Sequence, residues 1–462
     1  MSRRAHSPSP PSSPRLSKRP RLEIEPLTPE DYKNGVVLAP MVRSGALPTR
    51  LYSLKHGASL VWGPETVDKA ILHTQRVVDP VTGVVSYVGK SKAIFTTHPI
   101  EKPYLIYQIG SADPELAVQA AKAVVQDVAG FDLNCGCPKP FSTHSGMGAA
   151  LLTNPDLLCS ILTALREAMP PEISISAKIR LLPSQEETLK LVERIVNTGV
   201  NALTVHCRTR NMRKREPALI GRLREIVDFV EGMGRGIAVL ENGDCEGYHD
   251  ALRIRKTTGA HSVMIATAAE SNPTCFSPTP LTDLETTFIP NYIRLCKYLN
   301  NHWSSTKFCT SQFKGAHVNA SRADLKGMRD AIMHAKSYDD MEPRVAPWTG
   351  EEEFKKIVEA IEARDGRRGR VQVLTLTDAA ESAQLSASET QSDASQTSTQ
   401  SSTGDAAGLV TPPIGKPDPS VMNAPLAPAN EARMPLPAML TGDLSTPTPT
   451  PTRAVVGAAS LA

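Results

Sequence analysis

Eight short apolar segments recur between residues 35 and 266, and stretches of helical periodicity separate them. Apolar segments that alternate with helices predict a parallel sheet in which each helix is the crossover between two strands. Eight such units favour a closed α/β fold, the (β/α)8 TIM barrel, over an open doubly wound sheet. No G-x-G-x-x-G sequence follows the first segment, which further disfavours a dinucleotide-binding fold. The predicted strands are residues 35–40, 59–63, 103–108, 130–134, 173–180, 201–206, 236–242 and 262–266.

Composition divides the chain into four parts, of which the barrel is the second. Residues 1–33 are predicted to be a disordered basic arm, and residues 34–275 to be the barrel. Beyond Pro273 the apolar strands stop and helical periodicity continues, so residues 276–370 are predicted to form a small all-helical domain. Residues 371–462 are rich in Ser, Thr, Pro and Ala. They bury too little apolar surface to offset the entropy of ordering, which predicts a disordered tail.

Apolar runs and cysteine usage restrict the class of protein. No run is long enough to cross a bilayer, and the first residues carry charges and prolines, so we expect neither a membrane segment nor a secretory signal. The eight cysteines show no pairing rhythm and no metal-ligand spacing. We therefore expect no metal site and a cytoplasmic location. The basic residues 18–21 are compatible with nuclear import, with a loose nucleic-acid contact or with a solvated tail.

The net charge of +3 is unevenly distributed along the chain. Acidic residues outnumber basic ones after Leu376, so the preceding part of the chain is mildly basic. This bias is compatible with a phosphate-bearing partner.

The segment 130–139 ends a predicted strand in Asn134 and places Cys137 directly before a proline. Gly136 allows a sharp turn, while Pro138 cannot continue a β-ladder and disfavours helix at Cys137. The turn therefore presents a thiol at the carboxyl end of a strand, where barrel enzymes keep their reactive groups. On this segment alone, a buried and inert cysteine is an equally good interpretation.

Polar residues collect at the carboxyl ends of the predicted strands. Each has an ordinary structural explanation by itself, but together they predict a polar pocket over the barrel mouth. Gln, Lys and His side chains can hydrogen-bond a planar heteroaromatic such as a flavin, and strands seven and eight are the usual phosphate position. The pattern thus predicts a phosphorylated cofactor such as flavin mononucleotide (FMN). The main polar residues of this set are Gln108, Asn134, Lys178, Arg180, His206, Asn242 and Asp244.

Six motifs, in this order along the chain, resemble those of the tRNA-dihydrouridine synthases. The resemblance covers residues 34–340, and it is strongest to the eukaryotic type-2 branch of that family, in the fungal form without a double-stranded-RNA-binding domain. The segments 40–45, 139–143 and 178–183 are typical of that branch. The six motifs are residues 38–42, 134–138, 146–152, 178–180, 205–210 and 241–244.

The resemblance implies a flavin enzyme that reduces the uridine at position 20 of cytoplasmic tRNA, and we expect it to act as a monomer. NADPH or NADH would reduce FMN in the barrel, and hydride would pass to C6 of a uracil flipped out of the RNA. Cys137 would protonate C5, which makes it the implied catalytic residue. The helical domain, 276–370, would help to bind the tRNA. The implied FMN-binding residues are Pro40, Met41, Val42, Gln108, Lys178, His206, Asn242, Gly243, Asp244, Ala266 and Thr267. The implied tRNA contacts are Asn134, Arg180, Arg208 and Arg210.

Cys135, Cys207 and Thr267 depart from the family pattern. Thr267 stands where an arginine is usual at the phosphate turn, which puts cofactor retention in question. Two alternatives stay open at this point. One is a barrel flavoprotein that acts on a free small molecule such as dihydroorotate, although this leaves the basic run 208–215 and the helical domain unexplained. The other is a tRNA-binding relative that has lost catalysis, which the retention of Cys137 disfavours.

Overall fold

Eight parallel strands form a closed barrel in the computed structural model, which describes residues 25–319 and 321–364. The strands are β1 (Val36–Leu38), β2 (Val61–Trp62), β3 (Leu105–Gly110), β4 (Gly130–Cys135), β5 (Ser174–Leu181), β6 (Ala202–Thr209), β7 (Ala238–Asn242) and β8 (Ser262–Ile265). Each strand pairs with the next along the chain, and β8 pairs with β1 to close the barrel. The short strand Thr66–Val67 adds to β3. The predicted barrel and its eight strands are therefore confirmed.

Helices connect the strands and cover the outside of the barrel. Side-chain caps fix where two of them begin. The Asp113 carboxylate accepts hydrogen bonds from the amides of Glu115 and Leu116, and Ser184 and Glu187 form a capping box. The longer helices of the described residues are α1 (Leu47–Lys55), α2 (Pro114–Val124), α3 (Pro155–Ala168), α4 (Gln185–Val196), α5 (Leu223–Gly232), α6 (Tyr248–Thr258), α7 (Ile289–Tyr298), α8 (Trp303–Gln312), α9 (Arg322–His334) and α10 (Gly350–Glu362).

A small antiparallel sheet projects between β2 and β3. Its strands are Gln75–Val78, Val85–Val88 and Ala93–Thr97, of which the first two form a hairpin that the third extends. Arg76 and the Tyr87 hydroxyl both bond the carboxylate of Asp127, which lies just before β4. These contacts attach the projecting sheet to the barrel.

Helices α7–α10 form an all-helical region that packs on the barrel through aromatic contacts with α1. The Tyr52 ring meets the Phe288 ring edge-on, with 4.7 Å between centroids, and the Thr49 and Tyr292 hydroxyls are 2.8 Å apart. Tyr292 and Phe288 are both buried. The helical region is therefore part of the same hydrophobic core as the barrel. No helix of the described residues is both long and apolar enough to cross a membrane.

The end of the predicted disordered arm, 1–33, needs correction. Residues 29–32 form a 3-10 turn. Tyr32 is fully buried, and its hydroxyl lies 2.7 Å from Ser174 Oγ at the start of β5. The end of this segment therefore covers the amino-terminal face of the barrel. Residues 1–24, with the basic run 18–21, and the tail 371–462 lie outside the described residues.

Candidate active site

The turn that follows β4 holds Cys137 in a defined position. Asn134 Oδ1 accepts hydrogen bonds from the amide of Gly136 at 2.9 Å and from that of Cys137 at 3.2 Å. The Cys137 carbonyl in turn accepts from the amide of Ala149 at 2.9 Å. Gly148 has a φ of +58°, and a Cβ there would lie 2.7 Å from the Cys137 carbonyl oxygen, so only glycine fits. These contacts hold the half-buried Cys137 thiol in one defined turn.

A cavity of about 380 Å³ opens at the carboxyl ends of the strands, and Cys137 lines it. Nine residues singled out from the sequence face this one space. They are Pro40, Met41, Val42, Gln108, Asn134, Cys137, Lys178, Arg180 and His206. The inert-cysteine interpretation is therefore disfavoured, because the thiol shares its cavity with the polar strand ends.

Lys178 and Asn242 are paired across the barrel mouth. Lys178 Nζ donates to Asn242 Oδ1 at 2.7 Å, and Asn242 Nδ2 donates to the carbonyl of Met264 at 2.9 Å. Burial, followed by the nearby Arg180, lowers the pKa of Lys178 to about 8. Below about pH 8 the Lys178 ammonium group is a cation on the cavity floor, and its hydrogen bond to the Asn242 side chain fixes its position.

Gln108 reaches the cavity from β3 and is tied to β4 beneath it. Its Nε2 donates to Asp132 Oδ2 at 2.8 Å, and Ser176 Oγ donates to Asp132 Oδ1 at 2.7 Å. Asp132 is fully buried, and burial raises its pKa to about 6. Sequence reasoning missed Asp132 because it lies within the strand. The available signal was a carboxylate inside an otherwise apolar run.

His206 is held as a neutral ring beside Arg208. Burial, with the charges of Lys178, Arg180 and Arg208, lowers the pKa of His206 to about 2. Its Nε2 lies 3.3 Å from Arg208 Nη1. Since a guanidinium only donates, Nε2 accepts and the ring proton belongs on Nδ1. His206 is therefore a neutral residue of the cavity wall that retains one N–H donor.

Arg208 and Asp244, assigned from the sequence to the tRNA and to the cofactor, pair with each other. Arg208 Nη2 lies 2.5 and 2.7 Å from the two Asp244 oxygens, and Arg208 also donates to the carbonyls of Glu216 and Lys214. The Arg208 side chain is only 6 % exposed. Asp244 has a φ of +62° and additionally accepts from the amide of Ala218. This pair fixes the loop after β6 to the end of β7.

The remaining residues predicted from the sequence lie at the carboxyl ends of strands but are not among those that line the cavity. Gly243 follows β7, Ala266 and Thr267 follow β8, and Arg210 is exposed just beyond β6. Arg180 donates from Nε to the Gly136 carbonyl at 2.7 Å. Arg180 thus braces the Cys137 turn from the neighbouring strand, in addition to lining the cavity.

Some of the lining was not found from the sequence. Phe308 from α8 and Glu270 from the segment after β8 reach the cavity, and the guanidinium of Arg43 lies 3.7 Å from the centre of the Phe308 ring. Ser44 donates to Glu270. These residues come together only in the folded chain, so sequence spacing gave no signal. The other additional lining residues are Glu65, Gly136, Pro138 and Lys139.

The two unusual cysteines near the site do not face the cavity. Cys135 and Cys207 are both fully buried, and their thiols contact backbone carbonyls of Leu133 and Val205. Burial raises the pKa of both thiols. Successive side chains of a strand point to opposite faces of the sheet. Cys135 on β4 and Cys207 on β6 therefore point towards the helix layer, on the face opposite to that of Asn134 and His206. Neither cysteine therefore competes with Cys137.

Comparison with known proteins gives consistent matches. The family model described as Dihydrouridine synthase (Dus) matches residues 37–380. A tRNA-dihydrouridine(20) synthase of Schizosaccharomyces pombe is 47 % identical over 319 residues, which are 67 % of this chain and 64 % of that protein. The Saccharomyces cerevisiae enzyme of the same name is 42 % identical, over 61 % of this chain and 77 % of that protein. A tRNA-dihydrouridine(20a/20b) synthase of S. cerevisiae is 30 % identical, over 52 % of this chain and 61 % of that protein. The chain thus spans just under two thirds of the S. pombe protein.

Proposed function

Because the chain belongs to the dihydrouridine synthase family, we propose that it reduces the C5–C6 bond of the uridine at position 20 of tRNA. The relatives named for position 20 are 47 and 42 % identical, whereas the S. cerevisiae relative named for positions 20a and 20b is 30 % identical. The central observation is that Cys137 lines the same cavity as Gln108, Lys178 and His206. The proposed proton donor and the proposed cofactor ligands therefore face one space.

We propose FMN as the resident cofactor and NADPH or NADH as its reductant. The donor set fits the group, since a flavin needs hydrogen-bonding partners along its pyrimidine edge and responds to a nearby cation. Gln108 and His206 supply partners, and Lys178 supplies the cation. The ends of β7 and β8, with Gly243 and Thr267, are where barrels of this kind bind phosphate. When bound, FMN would supply the hydride for C6 of the uracil.

Cys137 is the proton donor to C5 in this proposal. The S–H bond breaks as the C5–H bond forms, and the sulfur is left as a thiolate that takes a proton from solvent. Asn134, Arg180 and Gly148 keep the turn in place, so the thiol does not need to be ordered when the substrate arrives.

The uracil must leave the RNA stack to reach this cavity, because the C5–C6 bond is inaccessible in a stacked base. Asn134 uses its oxygen for the Cys137 turn, and its side chain also hydrogen-bonds the carboxylate of Glu65, so the wall against which the uracil would lie is ordered in advance. Lys139 and Arg210 are exposed at the rim and suit contacts with phosphates. The helical region completes the cavity from the same chain through Phe308, which supports action as a monomer.

The test is to map dihydrouridine position by position in unmodified tRNA incubated with the purified protein, FMN and NADPH. We expect dihydrouridine at position 20 and none at 20a or 20b. Free uridine and orotate, tested in parallel, should not react. Turnover of either small molecule without any product in tRNA would contradict the proposal.

A further inference from the structure

Asp132 is a buried carboxylate directly below the cavity, and the function proposed above does not use it. It is fully buried in β4 and is not among the residues that line the cavity. Its two oxygens accept from Gln108 Nε2 at 2.8 Å and from Ser176 Oγ at 2.7 Å. Burial of a carboxylate costs free energy that an apolar residue would not. The position therefore calls for an explanation beyond packing.

The carboxylate decides which end of the Gln108 amide faces upward. An ionised carboxylate accepts hydrogen bonds and cannot donate them, whereas an amide has one donor end and one acceptor end. The amide nitrogen of Gln108 must therefore point down at Asp132. Among the described residues none donates to Gln108 Oε1, and Gln108 lines the cavity. Position 108 thus presents an acceptor to whatever occupies the cavity.

We propose that Asp132 is a positioning residue that holds the Gln108 amide with its oxygen towards the cofactor, and so selects a ligand that offers a ring N–H. The proposal rests on the function proposed above. The oxidised isoalloxazine has one ring N–H, at N3 between two carbonyl groups, and this matches a single amide acceptor. Without the Asp132 carboxylate, no acceptor would hold the Gln108 amide nitrogen downward, and the amide could present its donor end to the ligand.

Protonation of Asp132 would remove this constraint, because a carboxylic acid can donate to Gln108 Oε1 and turn the amide over. Two charged or titratable groups face Asp132 from other elements, namely Lys178 on β5 and Tyr32 from the turn below the barrel, whereas Cys135 on the same strand points to the opposite face of the sheet. Of these, Lys178 favours the ionised carboxylate. FMN affinity should accordingly weaken as pH falls through about 6.

A double-mutant cycle on FMN affinity tests the role of Asp132. The dissociation constant is measured from the fluorescence of FMN for the full chain, Asp132→Asn, Gln108→Leu and the double variant. We expect Asp132→Asn to weaken binding by about tenfold in the wild-type background. In the Gln108→Leu background it should have almost no effect, because the amide that Asp132 orients is gone. Ser176→Ala, measured well above pH 6 so that Asp132 stays ionised, leaves the bond between Asp132 and Gln108 intact; it is the matched control and should remain within about threefold of wild type.

Additive effects of Asp132→Asn and Gln108→Leu would overturn the inference, since a merely structural role costs the same in both backgrounds. If Asp132→Asn does not fold, the pH dependence decides. Wild-type affinity should fall below pH 6 while that of Gln108→Leu stays flat, and parallel profiles would overturn the inference. A wild-type protein that binds no FMN would overturn the proposed cofactor as well, so the two failures are distinguishable.

Discussion

The side-chain oxygen of Asn134 lies 3.2 Å from the backbone nitrogen of Cys137 and 2.9 Å from that of Gly136. The last inward-facing residue of β4 therefore shapes the turn that presents the thiol. One side chain couples the barrel wall to the proposed proton donor.

Replacement of Asn134 by alanine should misplace the thiol without removing it. Two hydrogen bonds to the turn are lost, and displacement of a reacting group by about 1 Å can slow a reaction by about 100-fold. We expect Asn134→Ala to lower the rate of dihydrouridine formation by at least about tenfold while FMN affinity is retained. Asn134→Asp keeps an acceptor oxygen and should be less impaired at equal FMN occupancy. An alanine variant as active as wild type would show that the turn needs no such support.

The depressed pKa of Lys178 predicts a pH-dependent stability of the cofactor-free protein. Its folded-state pKa is about 8, below the ordinary value of 10.5, so the unfolded chain binds more protons between these two pH values. The free energy of unfolding of wild type should therefore rise, relative to Lys178→Met, as pH increases from 8 towards 10.5. Denaturant titrations of both proteins across this range measure the difference. A constant difference would mean that Lys178 is not desolvated.

The ion pair of Arg50 and Glu101 should be a main stabilising contact for the cavity wall. Both side chains are buried, and Arg50 also donates to the Gly45 carbonyl in the loop after β1. Arg50→Met would leave a buried carboxylate unpaired, and we expect it to lower the free energy of unfolding by about 3–5 kcal/mol. Arg76→Met, which breaks the more exposed pair with Asp127, should cost about 1 kcal/mol or less. Equal losses in the two variants, measured by denaturant unfolding, would contradict this ranking.

Arg208 and Arg210 are two residues apart and should have different functions. Arg210 is exposed, so Arg210→Ala should weaken tRNA binding and reduce the slope of log affinity against log salt by about 0.7–0.9. Arg208 is buried against Asp244, so Arg208→Ala should lower the free energy of unfolding by about 1–2 kcal/mol and leave the salt slope unchanged. Filter-binding or fluorescence titrations at several salt concentrations separate the two. A reduced slope for Arg208→Ala would indicate that this residue does reach the RNA.

The barrel could be predicted from the sequence because each strand is a local apolar run and the carboxyl ends of parallel strands share one face. The same logic placed Gln108 and Lys178 at one mouth. Phe308 could not be predicted in this way, because it is distant along the chain from the strands. It reaches the cavity only because α8 packs over the loop that contains Arg43. Asp132 was missed for another reason, since its importance depends on the register that sets it beside Gln108.

Pairing also changes how predicted residues must be interpreted. Arg208 and Asp244 both lie at strand ends, where a sequence pattern suggests ligand contacts. Their charges satisfy each other in the fold. Residue type and position predicted that polar side chains would collect at one end of the barrel, but which of these groups remain free for a ligand depends on their hydrogen-bond partners in the fold.

The most direct test of the proposed function is a single-turnover measurement of dihydrouridine formation with FMN-loaded protein and unmodified tRNA. Cys137→Ala is compared with wild type and with Cys159→Ala, which removes another partly exposed thiol outside the cavity. We expect a rate at least about 100-fold lower for Cys137→Ala, the loss expected for a general acid, and an unchanged rate for Cys159→Ala. A Cys137→Ala protein that reacts within about threefold of wild type would contradict the assignment of the proton donor.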